Sequence, residues 1–286
     1  MENSEKNVKF ERFYFGKRMN SMLRVDMRRM FRSKLFYIMI AVALLVPIVM
    51  TVMLTMMDGQ ETVNQQTGEV QIMEGPDSVW QSIGTLPSED NAESNGADAA
   101  GAMGAMGGMD VMAMCNINMA FMGIAVFVCL FIAEDFRSGY AKNLFTVRAK
   151  KGDYVISKTI SGFLCGAFML TAYFIGSLLA GAITSLSFDL HGLTVGNIVM
   201  CILAKILLML VFVPIFVLIG VAAKKKAWLS ICGSLGGGML LFMTVGLITP
   251  LSSTVINVAL CGAGGAMFAF GLGAISKVIL KKTSLV

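Results

Sequence analysis

Residues 195–226 read VGNIVMCILAKILLMLVFVPIFVLIGVAAKKK. A helix rises 1.5 Å per residue, and the hydrocarbon core of a bilayer is about 30 Å thick. The apolar part, 195–222, is therefore long enough to cross a membrane. Three lysines, Lys224, Lys225 and Lys226, close it. One charge, Lys205, interrupts it. Five more stretches have the same character, at 35–57, 111–133, 159–183, 228–249 and 254–276. In lipid every backbone polar group has to bond within its own segment, so each stretch is expected to be a helix. The ten-residue alternating segments of a β-barrel are absent from the sequence.

Composition agrees with this. Of 286 residues, 56% are hydrophobic and 14% charged. A soluble domain has about 45–50% apolar and about 25% charged residues. A globular cytosolic enzyme, a disordered chain and a nucleic-acid-binding domain are all disfavoured. The polar, charged first 35 residues do not have the pattern of a cleavable signal peptide. The six cysteines, Cys115, Cys129, Cys165, Cys201, Cys232 and Cys261, lie in apolar runs without CxxC spacing. They read as small buried hydrophobes, with neither disulfide nor zinc spacing.

Charge is sorted by side. Of 23 Lys and Arg residues, 22 lie before the first stretch, in the second and fourth connections, or after the last. The segments 58–110, 184–194 and 250–253 carry none, and ten of the 18 acidic residues lie between Asp58 and Asp110. By the positive-inside rule both termini are expected in the cytosol. The acidic segment 58–110 is then extracellular, with a hairpin expected around Gln66-Thr67-Gly68 and a mobile stretch over 87–101. The expected architecture is an all-α integral membrane protein of one transmembrane domain over 1–286, with six spans. The six spans show no internal repeat that would point to an inverted-repeat transporter.

The segment 17–34 is basic and amphipathic. Met19, Met22, Leu23, Met27, Met30 and Phe31 fall on one arc, and Arg18, Arg24, Arg28, Arg29 and Arg32 on the other. Asp26 and Val25 break the pattern. Such a helix lies in the headgroup plane with its arginines on anionic lipid. It serves either as a topology anchor or as a lever joining a cytosolic partner to the first span.

The second connection runs Glu134-Asp135-Phe136-Arg137-Ser138-Gly139-Tyr140-Ala141-Lys142-Asn143-Leu144-Phe145 and continues through Arg148 to Lys158. Gly139 permits a turn, and 140–147 can form two helical turns that show Tyr140, Leu144 and Phe145 to one side. Asp153 is a candidate N-cap for the next helix. The segment is either a solvated basic loop or a short helix shaped to enter another protein's groove.

Six spans, the amphipathic N-terminal helix and the Glu134-x4-Gly139-x4-Leu144 loop resemble the type-2 ABC transporter permeases, whose exporters are called type V. The resemblance covers 17–280. It implies that the loop, with Glu134, Gly139, Tyr140, Lys142, Asn143, Leu144, Phe145 and Arg148, is a coupling helix that docks on a separate ATPase. It further implies two permeases, a homodimer, working with two ATPases in ATP-driven export across a bacterial plasma membrane. The long acidic segment between the first two spans departs from many members of that family.

This chain has no GxxxxGK[ST] loop to cradle phosphates. The glycines Gly233 to Gly238 lack a following lysine. ATP and Mg are therefore expected on the partner ATPase, with no cofactor bound by this chain and no catalytic residue in it. The one histidine, His191, is expected to be solvated. Lys205 lies about 15 Å along its helix from Val195, too deep to snorkel easily. It either bonds carbonyls or an outer carboxylate such as Asp189 or Asp110, or it lines a wet path and meets an anionic part of the cargo. Asn116, Asn118 and Asn257 pose the same choice, with interhelical hydrogen bonding as the default. Pro214 is expected to kink the fourth helix. The pairs Gly162/Gly166 and Gly233/Gly237 and the run 262–266 offer faces for close helix contact. Met103, Met106, Met109 and Met112 recur every third residue. They read as packing, as an adaptable wall for amphipathic cargo, or as weak Cu(I) ligands.

The function expected from these readings is the permease subunit of an ABC exporter, with amphipathic or antimicrobial-type peptides as cargo. The alternatives are a non-transporting immunity or sensor protein and a copper-handling permease.

Overall fold

The computed structural model describes residues 2–63, 70–72, 75–76, 78–84, 116–147, 150–190, 192–224 and 226–282. The described residues form α1 (Glu2–Arg32), α2 (Lys34–Met57), α3 (Ala120–Arg137), α4 (Tyr140–Val147), α5 (Lys151–Thr184), α6 (Val195–Ala223), α7 (Ala227–Ile248) and α8 (Val255–Lys282). A small antiparallel hairpin pairs β1 (Glu61–Val63) with β2 (Val70–Ile72), where the turn residues had placed one. Single 3-10 turns stand at Val79–Ser82 and Ile117–Met119.

Five helical segments are long and apolar enough to cross a membrane among the described residues: Lys34–Met57, Ile117–Arg137, Lys151–Thr184, Val195–Ala223 and Val255–Leu280. The second begins at Ile117, because Asn116 accepts a hydrogen bond from the Asn118 amide and caps the turn that leads into α3. The sequence had put that start at 111, and 111–115 lie outside the described residues. Between α6 and α8, α7 adds a 22-residue, mostly apolar helix packed on α3 and α6.

The core lies where α3, α5 and α6 meet. In α3, 61% of the apolar window is buried, against 22% in α2 and 11% in α8. The first is therefore central, and the other two face outward along most of their length. Phe121, Ile124, Phe127, Val128 and Ile132 of α3 interlock with Phe212, Val213, Phe216 and Val217 of α6. Close approach needs small residues. A Cβ on Gly176 of α5 would lie 2.3 Å from the Leu44 carbonyl oxygen, so α2 crosses there on bare backbone. A Cβ on Gly162 would meet Val213 at 2.7 Å and Val128 at 3.1 Å, which seats α5 between α3 and α6. The glycine faces of α7 and α8 are less uniform, since Gly265 is tight against Leu210 while Gly236 and Gly264 meet open space. Helix α6 runs unbroken through Pro214.

The bundle has a basic end and a far end. At the far end the Val79 amide donates to the Ser187 carbonyl (3.2 Å) and Trp80 Nε1 to the Phe188 carbonyl (3.2 Å). Ile83 is buried with Ile198, Cys201 and Leu251. Part of the 58–110 segment thus caps the far ends of α5 and α6. At the basic end α1 packs along α5, and α4 sits under α3. Among the described cysteines Cys129, Cys165, Cys201 and Cys261 are buried, whereas Cys232 is exposed on α7.

Candidate functional site

The basic end holds an ion network that joins four helices. On α1, Met22, Asp26 and Met30 recur every fourth residue and are all buried against the bundle. The apparent break at Asp26 is therefore part of the buried face. Asp26 Oδ1 accepts from Lys158 Nζ at 2.8 Å, and its Oδ2 accepts from the Ser157 hydroxyl at 2.6 Å. The same ammonium lies 2.7 Å from Asp135 Oδ2 at the end of α3. Asp135 Oδ2 also accepts from the Tyr154 hydroxyl at 3.0 Å, and its Oδ1 accepts from Arg29 Nη1 at 2.7 Å. Two carboxylates, one ammonium and one guanidinium balance, and every carboxylate oxygen has a donor. Asp26, Asp135 and Lys158 are each at most 1% exposed. Charges so far from water persist only when paired and hydrogen-bonded in this way.

Aromatic rings wall the network. Arg29 lies 4.0 Å over the Tyr140 ring, and Lys158 lies 4.0 Å over the Phe131 ring. Such cation–π contacts strengthen as water is excluded. Burial works against the Arg29 charge, but the Asp135 carboxylate, with Tyr140 and Asp26 behind it, offsets this and the guanidinium pKa lies above its ordinary value. Burial, followed by the Asp26 carboxylate, pushes the Tyr140 phenol up. At neutral pH the contact is a cation on a neutral ring.

This network fixes helix α4. Gly139, at φ +74°, turns the chain between α3 and α4, and that backbone conformation disfavours any residue with a Cβ. Tyr140 then points to Arg29, and Phe145 meets Tyr154 edge-on with centroids 5.4 Å apart. Leu144 is half-buried beside them. Lys142, Asn143 and Thr146 stay exposed on the opposite side, as do Glu134 and Arg137 next to the turn. The three apolar residues of the loop therefore face the bundle, and a polar surface faces outward. Arg148 lies outside the described residues.

Two further ties hold this layer. Arg18 of α1 pairs with Asp153 of α5. Helix α5 begins at Lys151, with Lys150 in the N-cap position, so Asp153 stands in its first turn and is not its cap. There it faces the positive end of the helix dipole as well as Arg18. Lys151 Nζ donates to the Leu280 carbonyl at 2.6 Å and holds the end of α8.

The candidates inside the bundle come together in part. Lys205 is fully buried. Its Nζ donates to Asn118 Oδ1 at 2.8 Å and to Thr249 Oγ1 at 3.0 Å. Neutral side-chain oxygens, not backbone carbonyls, thus hold this ammonium, and no carboxylate lies within 4.0 Å of it among the described residues; Asp189 is exposed in its loop. Asn116 caps its own turn, and Asn257 accepts from the Thr254 hydroxyl at 3.4 Å. Neither bonds Lys205. Met103, Met106, Met109, Met112 and His191 lie outside the described residues.

The sequence model of one family, described as an ABC-2 family transporter protein, matches residues 94–240, just over half of the chain. The chain belongs to this family. It is accordingly a multi-pass membrane protein and the permease subunit of an ABC transporter, and its partner is an ABC ATPase. No curated protein and no solved structure matches it. In this ABC-2 permease the matched span covers α3, α4, α5, α6 and the first two-thirds or so of α7, which includes Asp135, Tyr140 and Lys158. Asp26 and Arg29, on α1, lie outside it.

Reading the sequence alone assigned Lys158 and Arg29 to topology and treated Asp26 as an irregularity. The signal available was Asp26 in register with Met22 and Met30, since a charge at i+4 between two buried positions requires a buried counter-charge. Removing one member should expose this. In purified full-length chain, Asp26→Asn or Lys158→Met should each cost about 3–5 kcal/mol, seen as a drop in thermal midpoint. The pair Asp26→Asn/Lys158→Met, which keeps the network neutral, should recover a large part of that loss. Equal, additive losses would mean that the two groups are not paired.

Proposed function

We propose that this permease is the transmembrane part of an ATP-driven exporter and that α4 is the coupling helix on which its ATPase docks. The observation that carries this is the anchoring of α4. A two-turn helix with an exposed polar face is held through Tyr140, Leu144 and Phe145 to a buried ion network. Movement imposed on Lys142 and Asn143 would pass through Arg29 and Asp135 to α1 and α3, and through Tyr154 and Lys158 to α5. In this reading the basic end is cytosolic, as the distribution of lysine and arginine supports. Both termini then lie in the cytosol, and α7 completes six spans of one transmembrane domain over 1–286. Two copies of the chain form a homodimer with two ATPases, in a bacterial plasma membrane. ATP and Mg bind to the ATPases.

We infer amphipathic peptides as cargo from the methionine content of the chain, since flexible thioether side chains make adaptable apolar surfaces. Lys205 would meet the cargo carboxylate by exchanging Asn118 or Thr249 for it, since both are neutral acceptors and neither fixes the ammonium as a carboxylate would. Asn116 and Asn257 flank that layer.

Two measurements test this reading. Lys142→Glu with Asn143→Asp should abolish co-purification of the ATPase and leave the thermal midpoint of the chain unchanged, whereas Phe145→Asp should lower both. Full retention of the ATPase by the first variant would remove α4 as the docking element. Lys205→Met should lose peptide export while the complex still assembles; unchanged export would assign Lys205 to packing.

A further inference from the structure

The exposed side of α1 carries more cation than the network uses. Arg29 is paired with Asp135, but Arg28 and Arg32 are exposed and have no carboxylate within 4.0 Å among the described residues. Together with Val25 and Ser33 these three arginines line an open cleft of about 390 Å³. Val25, Arg28, Arg29 and Arg32 are spaced three and four apart, so they share one face of α1, a quarter-turn from the face of Met22, Asp26 and Met30. At the end of the cleft the chain leaves the helix at Ser33, whose hydroxyl makes no capping bond to α2. It is free to donate to, or accept from, a ligand.

The level of this cleft identifies its occupant. It ends one residue before a 24-residue apolar helix, at the boundary between headgroups and hydrocarbon. Below that boundary Ile38, Val42, Leu45, Val49, Met53 and Met56 form a ladder on α2, in steps of three and four, each at least 45% exposed. A phosphate held by the arginines would leave acyl chains to lie along this ladder. An acidic protein surface would match the arginines but not the apolar ladder. We propose that the cleft of Val25, Arg28, Arg29, Arg32 and Ser33 is a binding site for the phosphate of an anionic phospholipid. Because Arg29 also holds Asp135, an occupied cleft braces α1 against α3 and the α4 turn.

The test uses purified full-length chain in detergent. Phosphatidylglycerol, phosphatidylcholine and inorganic phosphate are added separately, and bound adducts are counted by native mass spectrometry. Phosphatidylglycerol should bind at least about tenfold more tightly than phosphatidylcholine. A basic residue near the surface contributes about fivefold to anionic-lipid affinity. Arg28→Gln with Arg32→Gln should therefore weaken phosphatidylglycerol by about 25-fold, with the thermal midpoint unchanged, because both side chains are exposed. Arg24→Gln, on the same helix but outside the cleft, should change it less than twofold. An equal loss in Arg24→Gln would mean diffuse attraction without a site. Inorganic phosphate competing as well as the lipid would mean a free-anion site. Loss of ATPase co-purification by the Arg28→Gln/Arg32→Gln variant, scored separately on the assembled complex, with phosphatidylglycerol binding retained in the purified chain, would mean a protein contact. Each of these three results overturns the proposal.

Discussion

Four side chains at the basic end, Asp26, Arg29, Asp135 and Lys158, form the constraint on which the rest of the structure depends. Asp26, Asp135 and Lys158 could not be buried alone, and the partly exposed Arg29 completes the charge balance. Together they are neutral, and their donors and acceptors are matched within 2.6–3.0 Å by one another and by Ser157 and Tyr154. Buried ion pairs contribute less to stability than their short distances suggest, because desolvation offsets most of the attraction. Their effect here is to specify position. An apolar contact between α1 and α5 would tolerate sliding, whereas a carboxylate that has to meet one ammonium fixes the register of the helices.

The position so specified serves the transporter. Helix α4 is too short to hold its place alone, since isolated helices of this length are marginal in water. It is held by Gly139 and by rings stacked on the ion network. A force applied to it has three exits, into α1, α3 and α5, and two of these continue as spanning helices. The far end is built differently. There Lys205 ties α6 to the start of α3 and the end of α7 through neutral oxygens, beneath an apolar cap that includes Ile83 and Leu251. One end is bound by paired charge and the other by a single cation on neutral partners.

Much of this was legible in the sequence for physical reasons. Bilayer thickness sets helix length, so the helices at 34–57, 195–223 and 255–282 fall close to their apolar runs. The turn at Gly139 and the helix over 140–147 followed from glycine and spacing. That Lys205 turns away from lipid was expected from its depth, while the choice between a packed and a wet site stayed open. The partners of Lys205 could not be read locally, because Asn118 and Thr249 stand 87 and 44 residues away in the chain. The inward turn of Tyr140 and Phe145 was hidden for a related reason. An amphipathic two-turn helix shows an apolar face, but whether that face meets its own bundle or another protein is decided by contacts distant in sequence. The ion network was the largest omission. Lysine and arginine near a span read first as topology signals, and nothing local distinguishes a solvated Lys158 from one seated between two carboxylates.

The ion network holds α4, the proposed docking helix, in place. A double-mutant cycle on Arg29 and Asp135 tests it most directly, using Arg29→Gln, Asp135→Asn and both together. Each variant is measured for unfolding free energy and for retention of the partner ATPase. A coupling between the two sites of about 0.5–3 kcal/mol is expected, with ATPase retention falling in each single variant and partly restored in the double. Zero coupling, or ATPase retention indifferent to both changes, would contradict it.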